Sequence, residues 1–216
     1  MAAIRQSPLF HRHEQAGASL IDHHGWRVPA YFTFAQQEAE QLAKRVSVSD
    51  VSCMVKLDLK GFGLKTPPLI NDSRLWCLGP EHYLATCDPA AQEAVMRQLS
   101  ALPSPADLLL PPPIYVTDVT SVYAQFLLAG PNSRDVLRKL TSLNVSALAN
   151  QTCGQAGLAH VSGKILRDDL GDIPAFHILV SREYGESVWD AILHAGHEFH
   201  VAPAGFKALG LLGGRA

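Results

Sequence analysis

Three short stretches carry the side chains whose types and spacing could do chemistry. The first, Ile21-Asp22-His23-His24-Gly25-Trp26-Arg27-Val28-Pro29, puts a carboxylate, two imidazoles and a guanidinium within six positions. That composition suits a metal, acid–base work or a polar turn. The second is His194, His197 and His200, spaced H-x-x-H-x-x-H. On a helix the first two would share a face, but the third falls roughly 120° round the axis, and Gly196 should stop the helix before it. Glu198 is the one acidic or thiol neighbour that could complete a zinc tetrahedron, so the spacing argues against metal. The third, Arg167-Asp168-Asp169-Leu170-Gly171-Asp172, holds three carboxylates in five positions and reads as a surface turn or as a source of a positioned acid. His11 and His13 alternate as ligands could on a strand. No metal-ligand set is assigned.

Cys53, Cys77, Cys87 and Cys153 are irregularly spaced with no C-x-x-C pair, and read as small buried thiols. No Gly-x-Gly-x-x-Gly or P-loop is present, so dinucleotide and ATP binding have no support. Eighteen basic and twenty acidic side chains leave a net charge of −2 without blocks of like charge, which argues against nucleic-acid and anionic-membrane partners. The N-terminus "MAAIRQSPLF" lacks a long apolar core, and no run reaches the ~18 apolar residues of a membrane span. The expectation is a cytoplasmic protein.

The elements that must position these side chains follow from periodicity. Cys53, Val55, Leu57 and Leu59 alternate with Lys56, Asp58 and Lys60 as in a half-buried strand. Ala91, Val95, Leu99 and Leu102 line one helix face, with Asp88 as cap and Pro89 in the first turn. Tyr184, Val188, Trp189, Ile192 and Leu193 line another, with Ser181 as its expected cap. An earlier helix opens on Thr33 and Gln36 in capping-box spacing and buries Ala35, Ala39, Leu42 and Val46. A further helix after Gly130-Pro131 carries Val136, Leu137 and Leu140.

Two segments look alike. Ser49-Asp50-Val51-Ser52 and its strand up to Gly61 parallel Thr117-Asp118-Val119-Thr120 and the strand up to Gly130, offset by 68 residues at the start and 69 at the glycine. Five prolines between 103 and 113 exclude helix there and suggest an extended connector. The expected fold is α+β: one module over 1–216, with two pseudo-repeated lobes of small mixed or antiparallel sheets and packed helices. The first lobe spans roughly 1–102, the connector 103–113 and the second lobe roughly 114–216.

In one register, Ser7-Pro8-Leu9, His13, Gly17-Ala18, Asp22, Gly25-Trp26, Pro29 and Asp50-Val51-Ser52 follow each other in order. This pattern resembles the N-terminus of the glycine-cleavage T-protein family, the folate-dependent aminomethyltransferases. "VTDVTSVYAQFLLAGPNSRDVLRKL" resembles the family's strand, Gly-Pro and helix unit, and "LWCLGPEHYL" resembles the small gamma subunit of heterotetrameric sarcosine oxidase. The family's C-terminal barrel has no counterpart up to Ala216. In this register Asp22, Gly25, Trp26 and Pro29 are family residues forming a turn, while His23, His24 and Arg27 fall on variable positions.

The resemblance implies tetrahydrofolate as cofactor, and chemistry in which a folate nitrogen attacks a methylene on an aminomethyl-lipoyl arm while a fixed carboxylate supports the nitrogen. The family's acid lies in a first-half Gly-Gly-x-x-Asp-Asp-Leu loop, for which the span from Gly61 to Trp76 is too short. Asp168-Asp169-Leu170 copies the letters but belongs to a second-half hairpin. Where the family has a pterin-gripping Gly-Tyr-Thr-Gly-Glu run, this chain offers Leu170 for the Tyr and the shorter Asp172 for the Glu. Lys207 stands for a family Arg, able to neutralise a glutamate but not to make a two-pronged contact. Asp172, Lys207 and Arg167 are therefore the expected folate-binding residues, and catalytic residues stay unassigned. The expected function is a non-catalytic accessory subunit of folate-linked one-carbon metabolism, with flavin-dependent amine oxidase subunits as partners. The alternative is a tetrahydrofolate-dependent aminomethyl- or methyltransferase using Asp168, Asp169 or Asp172 as a relocated acid. A folate sensor is the third.

Overall fold

A computed structural model describes residues 4–61, 68–102 and 114–213. The connector 103–113, and 62–67 of the stretch expected to lack the acidic loop, lie outside the described residues. In chain order the elements are β1 (Arg5–Gln6), α1 (Phe10–Gln15), β2 (Ser19–His23), β3 (Trp26–Tyr31), α2 (Ala35–Lys44), β4 (Ser47–Asp50), β5 (Val55–Lys60), β6 (Arg74–Gly79) and β7 (His82–Cys87). Then come α3 (Gln92–Ser100), β8 (Tyr115–Asp118), β9 (Tyr123–Ala129), α4 (Ser133–Leu140), β10 (Cys153–Leu158), β11 (Val161–Arg167), β12 (Ala175–Ser181), α5 (Gly185–Ala195), β13 (Ala202–Pro203) and α6 (Phe206–Leu211). The fold is α+β. No helix among the described residues is long and apolar enough to cross a membrane.

The chain divides into two units, Met1–Cys53 with Val122–Ala216, and Met54–Ser121. This division differs from the lobe boundaries expected from the internal likeness. The reason is strand pairing: β4 runs antiparallel to β9, Ser47 opposite Ala129 and Asp50 opposite Phe126. Those ladder bonds bring residues 1–53 into one unit with the second half of the sequence.

The larger unit holds a six-stranded sheet in the order β10-β11-β12-β9-β4-β13 and a three-stranded sheet in the order β1-β3-β2. Because side chains alternate along a strand, one face of the six-stranded sheet collects Val48, Phe126, Leu128, Ile165, Phe176, Ile178 and Val180. These pack on Val136 and Leu137 of α4 and on Val188, Trp189 and Ile192 of α5, the stripes expected from the sequence. Each such large side chain contributes about 1.5–3 kcal/mol on burial. The hairpin β2–β3 turns at His24 (φ 49°) and Gly25 (φ 80°), with Asp22 Oδ1 accepting from Gly25 N at 2.8 Å. Two successive left-handed residues match the twist of a two-residue hairpin.

The smaller unit is a four-stranded antiparallel sheet, β6-β7-β5-β8. Val55, Leu57, Leu59, Tyr83, Ala85 and Cys87 face Val95 and Leu99 of α3. Asp88 caps the turn before that helix, accepting from Ala90 N at 2.7 Å.

Three local readings change. Lys56, placed by alternation on a solvated face, is fully buried: its Nζ donates to Met54 O at 2.7 Å and its backbone N to Thr120 Oγ1 at 3.0 Å. Ser181 makes no side-chain cap; a 3-10 turn over Arg182–Tyr184 leads into α5 instead. The box before α2 is closed by Glu38, whose Oε1 accepts from Phe32 N and Thr33 N at 2.6 and 2.7 Å, rather than by Gln36. Glu38 Oε2 also takes Gly205 N at 2.8 Å, so one buried carboxylate ties α2 to the loop before α6.

Candidate functional site

The face of the six-stranded sheet opposite the helices is polar at its centre. Register places Lys164 and Leu166 of β11, His177 and Leu179 of β12, Tyr123, Gln125 and Leu127 of β9, and Ser47 and Ser49 of β4 on this one side. Lys164 Nζ donates to the Tyr123 hydroxyl at 2.9 Å and lies 4.5 Å from the centre of its ring. Gln125 Nε2 donates to His177 Nδ1 at 3.1 Å. Lys164, Tyr123 and His177 are half-buried, whereas Gln125, Ser47 and Ser49 are buried outright. Among the described residues Gln125 Oε1, Ser47 Oγ and Ser49 Oγ have no hydrogen-bond partner. Sequence reasoning passed over all of these. The signal was a single polar residue in each of two apolar strands, Gln125 in "YAQFLLA" and His177 in "AFHILV", and the alternation of "SVSD".

The hairpin between β11 and β12 holds the expected carboxylates. Arg167 forks onto Asp169, Nε to Oδ1 at 3.0 Å and Nη2 to Oδ2 at 2.6 Å, and its Nη1 donates to Leu148 O at 2.6 Å. Asp169 Oδ1 also accepts from Ala175 N at 3.2 Å. A two-pronged charged pair of this kind fixes a loop. Asp172 is exposed beside Gly171 (φ 61°) at the tip. Lys207 sits on α6 in a different setting, its Nζ 5.5 Å from the Tyr31 ring centre. It lines an open pocket of about 510 Å³ with Phe34, Gln36 and Leu211. His194 lies in the last turn of α5, His197 lies in a 3-10 turn and His200 is left-handed, so the three do not continue one helix.

Two further imidazoles meet carboxylates. In the larger unit His13 Nε2 lies 2.9 Å from Asp50 Oδ2, both groups buried, beneath Phe32 and Trp189. Burial alone would raise the Asp50 carboxyl, but the bond and charge of His13 and the hydroxyls of Ser52 and Ser7 outweigh it and hold it below its ordinary 3.8. In the smaller unit His82 Nε2 is 2.6 Å from Asp58 Oδ1 and Lys60 Nζ 3.1 Å from Oδ2. Partial burial would raise Asp58; His82 and Lys60 lower it below 3.8. Stability from that pair is present above about 3.8 and is lost as pH falls through the lowered Asp58 value. Replacing His82 with Phe should move the Asp58 titration up toward 3.8, followed through its carboxyl carbon by NMR; an unmoved midpoint would show that the contact does not form.

The cysteines divide: Cys53 and Cys87 are buried, Cys153 is half-buried and Cys77 is exposed. Burial, then Asp88, Asp118 and Asp72, push the Cys87 thiol up to about 11, which makes it inert at neutral pH.

A family model, the GCVT N-terminal domain, matches residues 68–213. The chain belongs to this family. An aminomethyltransferase of Halothermothrix orenii is 26% identical over 95% of this chain and 63% of its own length. One from Thermotoga maritima is 20% identical over 95% of this chain and 62% of its own. The chain thus spans less than two thirds of these relatives. Among solved structures, the glycine cleavage system aminomethyltransferase T from Bartonella henselae superposes with a TM-score of 0.73 at 17% identity, covering 95% of this chain and 61% of that one. A chain of the heterotetrameric sarcosine oxidase from Corynebacterium sp. U-96 superposes with a TM-score of 0.58, also at 17% identity, covering 90% of this chain and 96% of that one. At such identities the likeness establishes the shared fold. Asp22 at the end of β2 and Trp26 at the start of β3 flank the His24–Gly25 turn.

Proposed function

We propose that the chain is a non-catalytic accessory subunit in folate-linked one-carbon metabolism, cytoplasmic, and partnered by flavin-dependent amine oxidase subunits. The observation that carries this reading is the state of the hairpin carboxylates. Asp169 is consumed by the Arg167 fork and Ala175 N, and Asp172 is exposed at a turn. An acid that supports a reacting nitrogen must be shielded from water, which Asp172 is not, and must not already be neutralised by a paired cation, as Asp169 is by Arg167. The superposition on a chain of a heterotetrameric sarcosine oxidase, with a TM-score of 0.58, supports the accessory role. Folate, where bound, would meet Asp172 and Arg167 on the hairpin and Lys207 on α6.

The isolated chain, given tetrahydrofolate and an aminomethyl-lipoyl carrier, is expected to form no methylene-tetrahydrofolate. Turnover abolished by Asp172→Ala or Asp168→Ala would overturn the accessory reading in favour of an enzyme with a relocated acid. Co-expression with the flavin-bearing subunits of an amine oxidase should yield a stoichiometric complex on gel filtration.

A further inference from the structure

We propose that the open pocket beside Lys207 is where the oxidase partner docks, and that it takes an acidic segment in which a large apolar side chain stands next to a carboxylate. The proposal rests on the accessory reading and adds to it the surface and the chemistry of the contact. The pocket, about 510 Å³, lies in the larger unit between Tyr31 at the end of β3, Phe34 and Gln36 at the start of α2, and Lys207, Gly210 and Leu211 of α6. Their i, i+3, i+4 spacing puts the last three on one face of α6; Phe206, Ala208 and Leu209 are buried on the other. Single exposed apolar side chains are ordinary, but Phe34 and Leu211, 67% and 56% exposed, line one concavity. Walls that stand this far into solvent suit the surface of a partner protein, whereas a small ligand is enclosed on most sides.

Charge sets the kind of segment. Among the described residues Lys44, Lys60 and Lys139 each hold a carboxylate, Lys56 a carbonyl and Lys164 a hydroxyl. Lys207 makes no such bond there, and its ammonium meets only the Tyr31 ring. The pocket also opens on the first turn of α2, whose cap residue Phe34 offers no side-chain acceptor to the leading N–H groups. Glu38, the carboxylate of that turn, is buried and taken by Phe32 N, Thr33 N and Gly205 N. The pocket is therefore electropositive with no acid among the described residues to answer it, and a carboxylate is the group it attracts. A Cβ at Gly210 would meet nothing within 4 Å, so the floor has room for an incoming apolar side chain between Phe34 and Leu211. Lys207 cannot serve folate and a partner at once, which makes the two assignments separable.

The test titrates the full chain by calorimetry against the flavin-bearing subunits of a heterotetrameric amine oxidase, purified without their small subunit. Lys207→Glu and Gly210→Gln should each weaken the complex by about tenfold or more, and Lys207→Gln should reduce its sensitivity to salt. Both positions are exposed and Gln is a better helix former than Gly, so Lys207→Glu should melt with the parent and Gly210→Gln at or above it. Lost docking is thereby told apart from lost folding. A complex that neither variant weakens would overturn this surface and leave the accessory reading standing. Absence of any complex for the parent would bring down the accessory reading and this site with it. Tetrahydrofolate binding lost in Lys207→Glu while the subunits still bind would hand the pocket to folate. Self-association of the parent on sedimentation, dissolved by Lys207→Glu with the oxidase complex unaffected, would overturn the proposal in favour of a second copy.

Discussion

Gly130→Ala should abolish cooperative folding of the larger unit. Gly130 follows β9 with φ 131°, a conformation that a residue with a Cβ rarely adopts. A Cβ there would stand 2.3 Å from Arg45 O, 2.7 Å from Val46 Cα and 2.8 Å from Leu42 O. All three are backbone atoms at the end of α2 and the start of the β4 segment, so no side chain can swing aside. The surroundings are fixed as well: Gly130 N donates to Pro174 O and its carbonyl accepts from Ser133 N, opening α4. Relief would require pulling α2 from the strand pair β4–β9 on which the core is built. Conformational strain of about 1–3 kcal/mol adds to that displacement, and the sum exceeds the ~4–5 kcal/mol that marks the severest substitutions. Against a total stability of about 5–15 kcal/mol, the expected result is a non-cooperative thermal transition by circular dichroism. Gly210→Ala is the control. Gly210 lies in α6 with nothing within 4 Å of the added carbon, and a helical Gly costs about 1 kcal/mol relative to Ala. That variant should melt at or above the parent temperature; equal melting of Gly130→Ala would disprove the close approach.

What was legible in the sequence followed from local physics. The apolar stripes at Val95 and Leu99, at Val136 and Leu137, and at Val188, Trp189 and Ile192 all became helix faces against a sheet, because a 3.6-residue period is written in the residues themselves. The family register around Asp22-His23-His24-Gly25-Trp26 became a tight hairpin, since Gly25 tolerates positive φ. What was not legible depends on partners distant in sequence. Lys56 reads as an outward charge until Met54 O and Thr120 Oγ1 are placed beside it. Glu38 reads as a helix-surface carboxylate until Gly205, 167 residues away, donates to it. The polar face is the same problem in a sharper form. Gln125 and His177 are 52 residues apart and meet only because β9 and β12 pair in one register. Arg167 and Asp169 show the converse, since side chains two residues apart meet within one hairpin without any partner distant in sequence.

Asp50→Asn carries the other large effect, and its size depends on pH. His13 and Asp50 are 37 residues apart, joined at 2.9 Å with side-chain exposures of 3% and 1%. Asp50 Oδ1 also accepts from Ser52 N at 3.0 Å and from Ser52 Oγ at 2.6 Å. Removing one partner of a buried pair leaves the other without compensation and costs about 3–5 kcal/mol. For a chain of this size that corresponds to a fall in melting temperature of about 2–4 °C per kcal/mol. The Asp50 carboxyl is held below 3.8 in the folded state, so the unfolded chain binds more protons in the interval between the two values. The pair's contribution is therefore complete above about 3.8 and disappears as pH falls through the folded value. Urea midpoints of parent and Asp50→Asn should be far apart at pH 7 and converge in acid, a narrowing that a purely steric defect would not show. Parallel midpoints at every pH would mean that Asp50 acts by its shape and its bonds to Ser52 alone. Ser52→Ala separates these: it removes a hydroxyl donor while keeping His13, so the gap at neutral pH should be a fraction of that for Asp50→Asn, and the Asp50 titration should move upward.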